Sequence, residues 1–496
     1  MKRRIGLGAF AVVVAAIALV LGFTHRGGGA SASDDAGSRT TTRATFADRD
    51  GDGILERSRG EPLRRRTELG PASRGVARIA ILAQITDAHV RDEESPARAF
   101  VLDRLGGAFS STFRPQEALS AQTLAATVET VNRLRPDAVL ETGDLVDNAQ
   151  SNELSLALAV LGGGRVDPDS GAPGYQGPQA AGASDPFLYR PDVDAPRHRG
   201  LLSAAQRPFR SPGLQAPWYA VPGNHDLLVQ GEAAPTPALQ RLATGSRELV
   251  EPDRGVKLPR SRRTFDPAVL DRLLAHGLPG TTSAVAPDAT RRLMRPTELI
   301  DRLRRARGSG AAGAGDRLDY AFPVGPKLQV IALDLVKRTR GADPAASPRQ
   351  LAWLRRQLKA AADRWVVVMT HQPLASSPGG RRVLAQLDRA PSVVATLAGD
   401  SHTNKIRPRR TAAGGYWMIN TGSLTDFPQQ SRALRLRETA GGGVVIDTWM
   451  LDSAPGRLPD TARSLAFLDA QGGRPQRDAG APSDRNARLF RAPPGG

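Results

Sequence analysis

An α/β fold is what this sequence predicts, and three features predict it. Short apolar runs rich in β-branched residues recur along the chain, and each stops at a group of polar residues, as buried strands do. Amphipathic stretches with apolar residues at three-and-four spacing lie between some of the runs, the strand–helix–strand alternation of a sheet flanked by helices. The chain has 496 residues, of which 40% are apolar and 5% aromatic, so it can build a sizeable core while leaving long stretches thinly packed.

Ordered structure is expected to begin near Arg78, with ARIAILAQITD (residues 77–87) as a buried strand. A helix follows over EALSAQTLAATVETVNRL (117–134), then a short strand in DAVLETGD (137–144). The pattern returns in WYAVPGNHD (218–226), KLQVIALDL (327–335), RWVVVMTHQ (364–372) and SVVATLAGD (392–400). SPRQLAWLRRQLKAAA (347–362) reads as an amphipathic helix capped by its Ser, and YWMINTGS and GGGVVIDTWML supply further strands. Residues 149–215 and 229–320 are rich in Gly, Pro and Arg, and read as insertions, partly disordered, that cap a site. Residues 33–75 read as a polar linker and 454–496 as a flexible tail, which leaves 76–453 as the main domain.

At the amino terminus, MKRR precedes an apolar segment from Ile5 to Phe23, and Ala30 and Ala32 stand at the spacing of a small-residue cleavage site. Residues 1–32 are therefore expected to be an export signal. An uncleaved anchor through residues 5–23 is the alternative, because the segment is long enough to span a bilayer. Either way the bulk of the chain is expected outside the cytoplasm, secreted or in the cell envelope. There is no cysteine, which excludes thiolate zinc sites, disulfide scaffolds and thiol nucleophiles. The net charge is +18, with only six lysines, so the excess is scattered arginine. A basic surface that attracts phosphate-bearing substrates is the preferred reading, and plain coding bias the other. No specific nucleic-acid partner is expected, since no recognition motif or aromatic-interleaved groove is legible. DRDGDGILE (48–56) is like the start of an EF-hand calcium loop, but its twelfth position is Arg59, so a solvated acidic turn is preferred.

The polar groups at the strand endings carry the chemistry. They are Asp87 and His89 in ITDAHV, Asp144 in ETGDLVDN, Asn224, His225 and Asp226 in PGNHD, His371 in THQP, and Asp400 and His402 in AGDSHTN. Four of the seven histidines stand at such endings, where α/β sheets place ligand sites. Alternation along an extended chain would put Asp87 and His89 on one side. Three carboxylates, three imidazoles and an amide suit two divalent ions with one carboxylate shared, and oxygen and nitrogen donors without thiolate favour Mn, Fe, Zn or Ni over calcium. Such a pair would share a water, lower its pKa and clamp a phosphoryl group. Asp147 is expected to cap a helix or bond the loop rather than ligate. Trp218 and Tyr219 are expected in the core, His198 and His276 on the surface, and His25 in the removed segment.

In order along the chain, DAH, GDLVD, GNHD, the lone His371 and GDSH resemble the calcineurin-like metallophosphoesterase superfamily, whose pattern is DxH, GDxxD, GNH(D/E), His and GHxH. INTGSL (419–424) is similar to the segment that follows the last motif there. The resemblance runs from about residue 78 to 450. It implies a four-layer sandwich of two mixed β-sheets flanked by helices. It also implies an exported phosphoesterase in which a hydroxide bridging two divalent ions (Mn, Fe or Zn) attacks a phosphate mono- or diester. By position, Asp87, His89, Asp144 and His402 would hold the first ion, and Asn224, His371 and Asp400 the second, with Asp144 shared. His225 would protonate the leaving group, oriented by Asp226. Asp400 departs from the pattern, since the family has His there. A non-catalytic phosphate-binding protein on the same fold, weakened by Asp400, is the alternative function.

Overall fold

The computed structural model describes residues 40–97, 114–183, 188–253, 277–278, 280–313, 315–339, 343–472 and 476–494, with positions 268, 272 and 274. Residues 1–32, expected as an export signal or anchor, His25 and His276 lie outside the described residues. Among the described residues, no helix is long and apolar enough to cross a membrane.

Among the described residues, thirteen strands build two large mixed sheets. They are β1 (Arg64–Leu69), β2 (Gly75–Ile85), β3 (Ala138–Glu141), β4 (Trp218–Ala220), β5 (Tyr320–Val324), β6 (Leu328–Ala332), β7 (Trp365–Met369), β8 (Val393–Ala398), β9 (Lys405–Arg409), β10 (Tyr416–Asn420), β11 (Gln430–Thr439), β12 (Val444–Asp452) and β13 (Ala487–Arg491). The first sheet runs β1-β13-β12-β11-β2-β3-β4 and the second β5-β6-β7-β8-β10-β9. Strands β2, β3 and β4 are parallel, as are β6, β7, β8 and β10.

Period-two alternation sorts the second sheet's side chains into two cores. Leu328, Val330, Val367 and Met369 share one core with Leu82 and Val139 of the first sheet. Ile331, Val366 and Val368 point the other way, against Leu354 and Leu358 of helix α3 (Pro348–Ala360) and Val383 and Leu384 of helix α4 (Pro378–Leu387). On the far side of the first sheet, helix α1 (Ser120–Leu134) brings Leu124, Val128 and Val131 against β11 and β12, and α5 (Arg457–Gly472) packs on α1. The result is the four-layer helix–sheet–sheet–helix arrangement. The Ser347 cap of α3 is present as a capping box: its hydroxyl accepts from Gln350 N at 3.2 Å and Gln350 Oε1 accepts from Ser347 N at 3.0 Å.

Four expectations need correction. Residues 33–75 are not a linker throughout: Ala44–Ala47 pairs with Glu56–Arg59 in a hairpin, and β1 forms a sheet edge. Its arginines find aromatic partners, with the Arg66 guanidinium 5.2 Å from the Trp417 ring and Arg65 6.0 Å from Phe490. Residues 454–496 hold α5 and β13, whose Ala462, Leu465, Leu489 and Phe490 are buried. Gly and Pro around these short apolar pieces dilute the composition and hide them. The insertions are also built structure where described. Helix α2 (Ser151–Gly162) and an antiparallel pair, Gly164–Val166 with Phe209–Ser211, lie in the first, and helix Pro296–Arg305 in the second. Fully buried Arg291 ties them together, donating to Asp92 Oδ2 at 2.7 Å, Ala286 O at 2.7 Å and Ser170 Oγ at 2.8 Å. Finally, Asp87 and His89 are not on an extended strand, as the site shows.

Candidate metal centre

The carboxyl ends of the parallel strands meet at one edge of the sandwich. Asp87 and His89 follow β2, Asp144 follows β3, Asn224 to Asp226 follow β4, His371 follows β7, and Asp400 and His402 follow β8. The backbone there is held in an unusual conformation. Nine described non-glycine residues have positive φ, and five of them are Asp87 (51°), His89 (42°), Asp144 (53°), Asp400 (58°) and His402 (52°). Left-handed backbone outside glycine is uncommon and is kept where surrounding bonds enforce it. Here Asp87 N donates to Gly143 O and His89 N to Asp144 O, each at 2.9 Å. Two left-handed residues, not strand alternation, turn Asp87 and His89 to one side.

The imidazoles are fixed from behind. His89 Nδ1 lies 2.9 Å from Asp147 Oδ1, His371 Nδ1 2.8 Å from the Thr142 carbonyl, and His402 Nδ1 bonds Asp426 Oδ2. Each of these partners is an acceptor, so each Nδ1 carries the hydrogen and each neutral ring presents a lone pair at Nε2. Those lone pairs face further acceptors. His89 Nε2 and His402 Nε2 are 3.2 Å apart, with Asp87 Oδ1 3.3 Å from the latter and Asp144 Oδ2 3.8 Å from the former. His371 Nε2 faces Asp144 Oδ2 at 3.1 Å, Asn224 Oδ1 at 3.2 Å and Asp400 Oδ1 at 3.5 Å. Asn224 is oriented by its amide nitrogen, which donates to Gly231 O at 3.3 Å. Two groups of converging atoms thus share Asp144 Oδ2, and a positive charge at each, a proton on the ring or a bound cation, reconciles them. Donor atoms of Asp87, His89, Asp144 and His402 all lie within 4.8 Å of one another, which fits one metal ion. The oxygen and nitrogen donor set fits a transition-metal dication.

The titration behaviour agrees with a cation-seeking site. Burial draws the His402 imidazole down, but Asp426 and Asp87 outweigh it and push it up to about 10. Burial likewise opposes, and Asp144 overcomes it to raise, His371. Burial and the facing His225 pull His89 down to about 4. Burial raises Asp144, yet His371, His225 and His89 together hold it well below the usual carboxylate range. Burial pushes Asp400 up to about 6, against His371.

His225 and Asp226 sit on a short helical turn, Asn224–Leu227, so their side chains diverge. Asp226 does not orient His225. Its carboxylate accepts three backbone N–H groups, from Gly223 at 2.7 Å, Asp144 at 3.0 Å and Val146 at 2.9 Å, and pins the loop carrying Asp144. Burial and Asp144 raise it to about 7. The partner of His225 is Asp147, whose Oδ1 lies 3.1 Å from His225 Nδ1 and whose Oδ2 is 2.5 Å from Arg91. Asp147 therefore holds two site histidines, a larger part than capping, and its place in the GDLVD spacing was the signal. Asp426 is the residue that sequence reasoning missed, for it stands alone in TDFP with nothing to mark it. Trp218 is in the core and Tyr219 stacks on Phe322. Asp48, Asp50 and Asp52 do converge, but on a hairpin turn whose own Gly51 and Gly53 N–H groups use Asp48, and Arg59 is a strand partner of Ala44.

No family model matches this chain, and no curated protein does. Among solved structures it is similar to a dimetal phosphatase from Danio rerio, at 13% identity and a TM-score of 0.39 over 76% of this chain and 96% of that one. It is also similar to the Thermus thermophilus sulfate thiohydrolase SoxB solved with glycerol, at 12% identity and a TM-score of 0.31 over 81% of this chain and 62% of that one. A third likeness is to TT1561 of Thermus thermophilus, at 10% identity and a TM-score of 0.30, covering 73% of this chain and 95% of that one.

Proposed function

We propose that this chain is a metal-dependent hydrolase of phosphate esters, exported from the cytoplasm by residues 1–32 or anchored through 5–23. One observation carries the catalytic reading: two groups of lone pairs share a single oxygen, Asp144 Oδ2, with every site imidazole fixed through Nδ1. Asp87, His89, Asp144 and His402 would hold one divalent ion, and Asp144, Asn224, His371 and Asp400 the other, with Mn, Fe or Zn the fitting metals. Two ions so held supply Lewis acidity and an activated water at neutral pH.

The chain's own residues do the rest. Asp147 and Asp426 keep the rings of His89 and His402 aimed, and Asn224 is held by Gly231. His225, bound through Nδ1 to Asp147, can carry a proton at Nε2 and give it to the leaving oxygen. The arginine-rich surface draws an anionic substrate toward the site.

The test is turnover of bis-p-nitrophenyl phosphate and p-nitrophenyl phosphate by metal-stripped protein with Mn, Fe(II) or Zn returned singly. Metal-dependent turnover that is lost in Asn224→Ala supports the enzyme. One or no tightly held ion and no turnover, with anion binding retained, supports instead a non-catalytic phosphate-binding protein, a reading that the carboxylate at position 400 favours.

A further inference from the structure

Resting on that reading, we infer that Asp400 shifts the site's preference away from the doubly charged phosphoryl group of a monoester and toward the singly charged group of a diester. The carboxylate is placed to act on substrate charge. Its Oδ1 lies 3.5 Å from His371 Nε2, and its backbone N–H is fixed by both oxygens of Asp87, at 3.1 and 3.2 Å. Its side chain is 21% exposed, whereas Asp87 and Asp144 are 0% and 3% exposed. Asp400 is thus the carboxylate of the three that meets incoming ligand as well as the cluster.

Charge decides the consequence. Two divalent ions facing Asp87, Asp144 and Asp400 keep roughly one net positive charge, about one less than with a neutral side chain at position 400. Among the described residues, the guanidiniums of Arg91 and Arg114 beside the cluster do not restore it. Arg91 is neutralised by Asp147 and Glu117, and Arg114 by Asp426 and Glu117. A monoester presents a second negative charge that must be accommodated within a few ångströms of the Asp400 carboxylate, and a diester presents an ester oxygen there instead. At such distances in a partly buried site one unit of charge is worth about tenfold or more in affinity.

The experiment is calorimetric binding of two non-hydrolysed probes at mildly alkaline pH to the full chain loaded with Mn. Phenylphosphonate carries the two charges of a monoester, and methylphenylphosphinate, which has no ester bond, the single charge of a diester. Asp400→Asn should raise the ratio of phenylphosphonate to methylphenylphosphinate affinity by about tenfold or more over wild type. Metal content is measured on the same samples. If Asp400→Asn loses an ion, Asp400→His, a neutral ligand, takes its place in the comparison. A ratio unchanged in the neutral variants with both ions retained overturns the inference and leaves the hydrolase reading standing. A wild-type chain that holds no ions overturns both.

Discussion

Gly223→Ala tests the centre through one methyl group. Gly223 has φ −94° and ψ 178°, which alanine adopts without strain, so the substitution carries no backbone penalty. What it meets is Asp144: a Cβ would lie 2.0 Å from Oδ1, 2.3 Å from N and 2.7 Å from Cγ. That is roughly 1.5 Å inside van der Waals contact, so the shared carboxylate must move. Moving it breaks the 2.8 Å bond that Oδ1 accepts from His225 N and disturbs the 3.0 Å bond between Asp144 N and Asp226. Overpacking of this kind costs about 1–3 kcal/mol, or roughly 2–6 °C in Tm. Metal–ligand distances tolerate only about 0.2 Å, so both ions should be weakened about a hundredfold or more. The assay is metal content after dialysis together with thermal melting with and without Mn. Gly441→Ala, where a Cβ meets nothing within 4 Å, is the control. Two ions retained at wild-type affinity in Gly223→Ala would refute the placement of Asp144 at the junction of the two groups.

Three more expectations follow from the same geometry. Asp426→Asn should weaken metal binding about 10- to 100-fold by releasing the His402 ring, and unchanged affinity would remove Asp426 from the centre. His225→Ala should slow alkyl phosphodiesters by about a hundredfold while sparing p-nitrophenyl esters, whose leaving group needs no proton; equal losses on both would make His225 something other than the acid. Glu93 is pushed up to about 8 by burial and by Asp92 and Glu117. The folded state thus holds a proton that the unfolded chain releases near 4.5, and stability falls as pH rises from about 4.5 through about 8. Glu93→Gln should therefore match wild type near about pH 5 and exceed it on the order of 4 kcal/mol near about pH 9, and equal melting at both values would contradict the burial of a protonated Glu93.

Much of the scaffold is legible without coordinates because strands buried on both faces are written as continuous apolar runs. Residues 365–369 and 393–398 needed nothing more. The strand β11 escaped notice because it alternates Arg with Leu. Its Leu434 and Leu436 enter the core, Arg435 and Arg437 reach Asp447, and Arg432 is fully buried against Thr421 and Asn404. Only its neighbours in the folded chain, which supply those partners, make it a strand. Strand β13 escaped for the same reason, since its pairing with β12 lies far along the chain.

The sequence by itself determined which residue types stand at the strand ends, and hence that a cation-binding site of oxygen and nitrogen donors was in prospect. It also determined that no thiolate takes part. The tertiary structure decided how those residues are used. It assigned Asp226 to backbone N–H groups and Asp147 to His225, brought Asp426 from outside every motif to His402, and turned Asp87 and His89 together through left-handed backbone. Spacing along a chain sets what an isolated strand or helix presents. The partner of a buried carboxylate is set by which loops the two sheets press together, and that is a property of their packing.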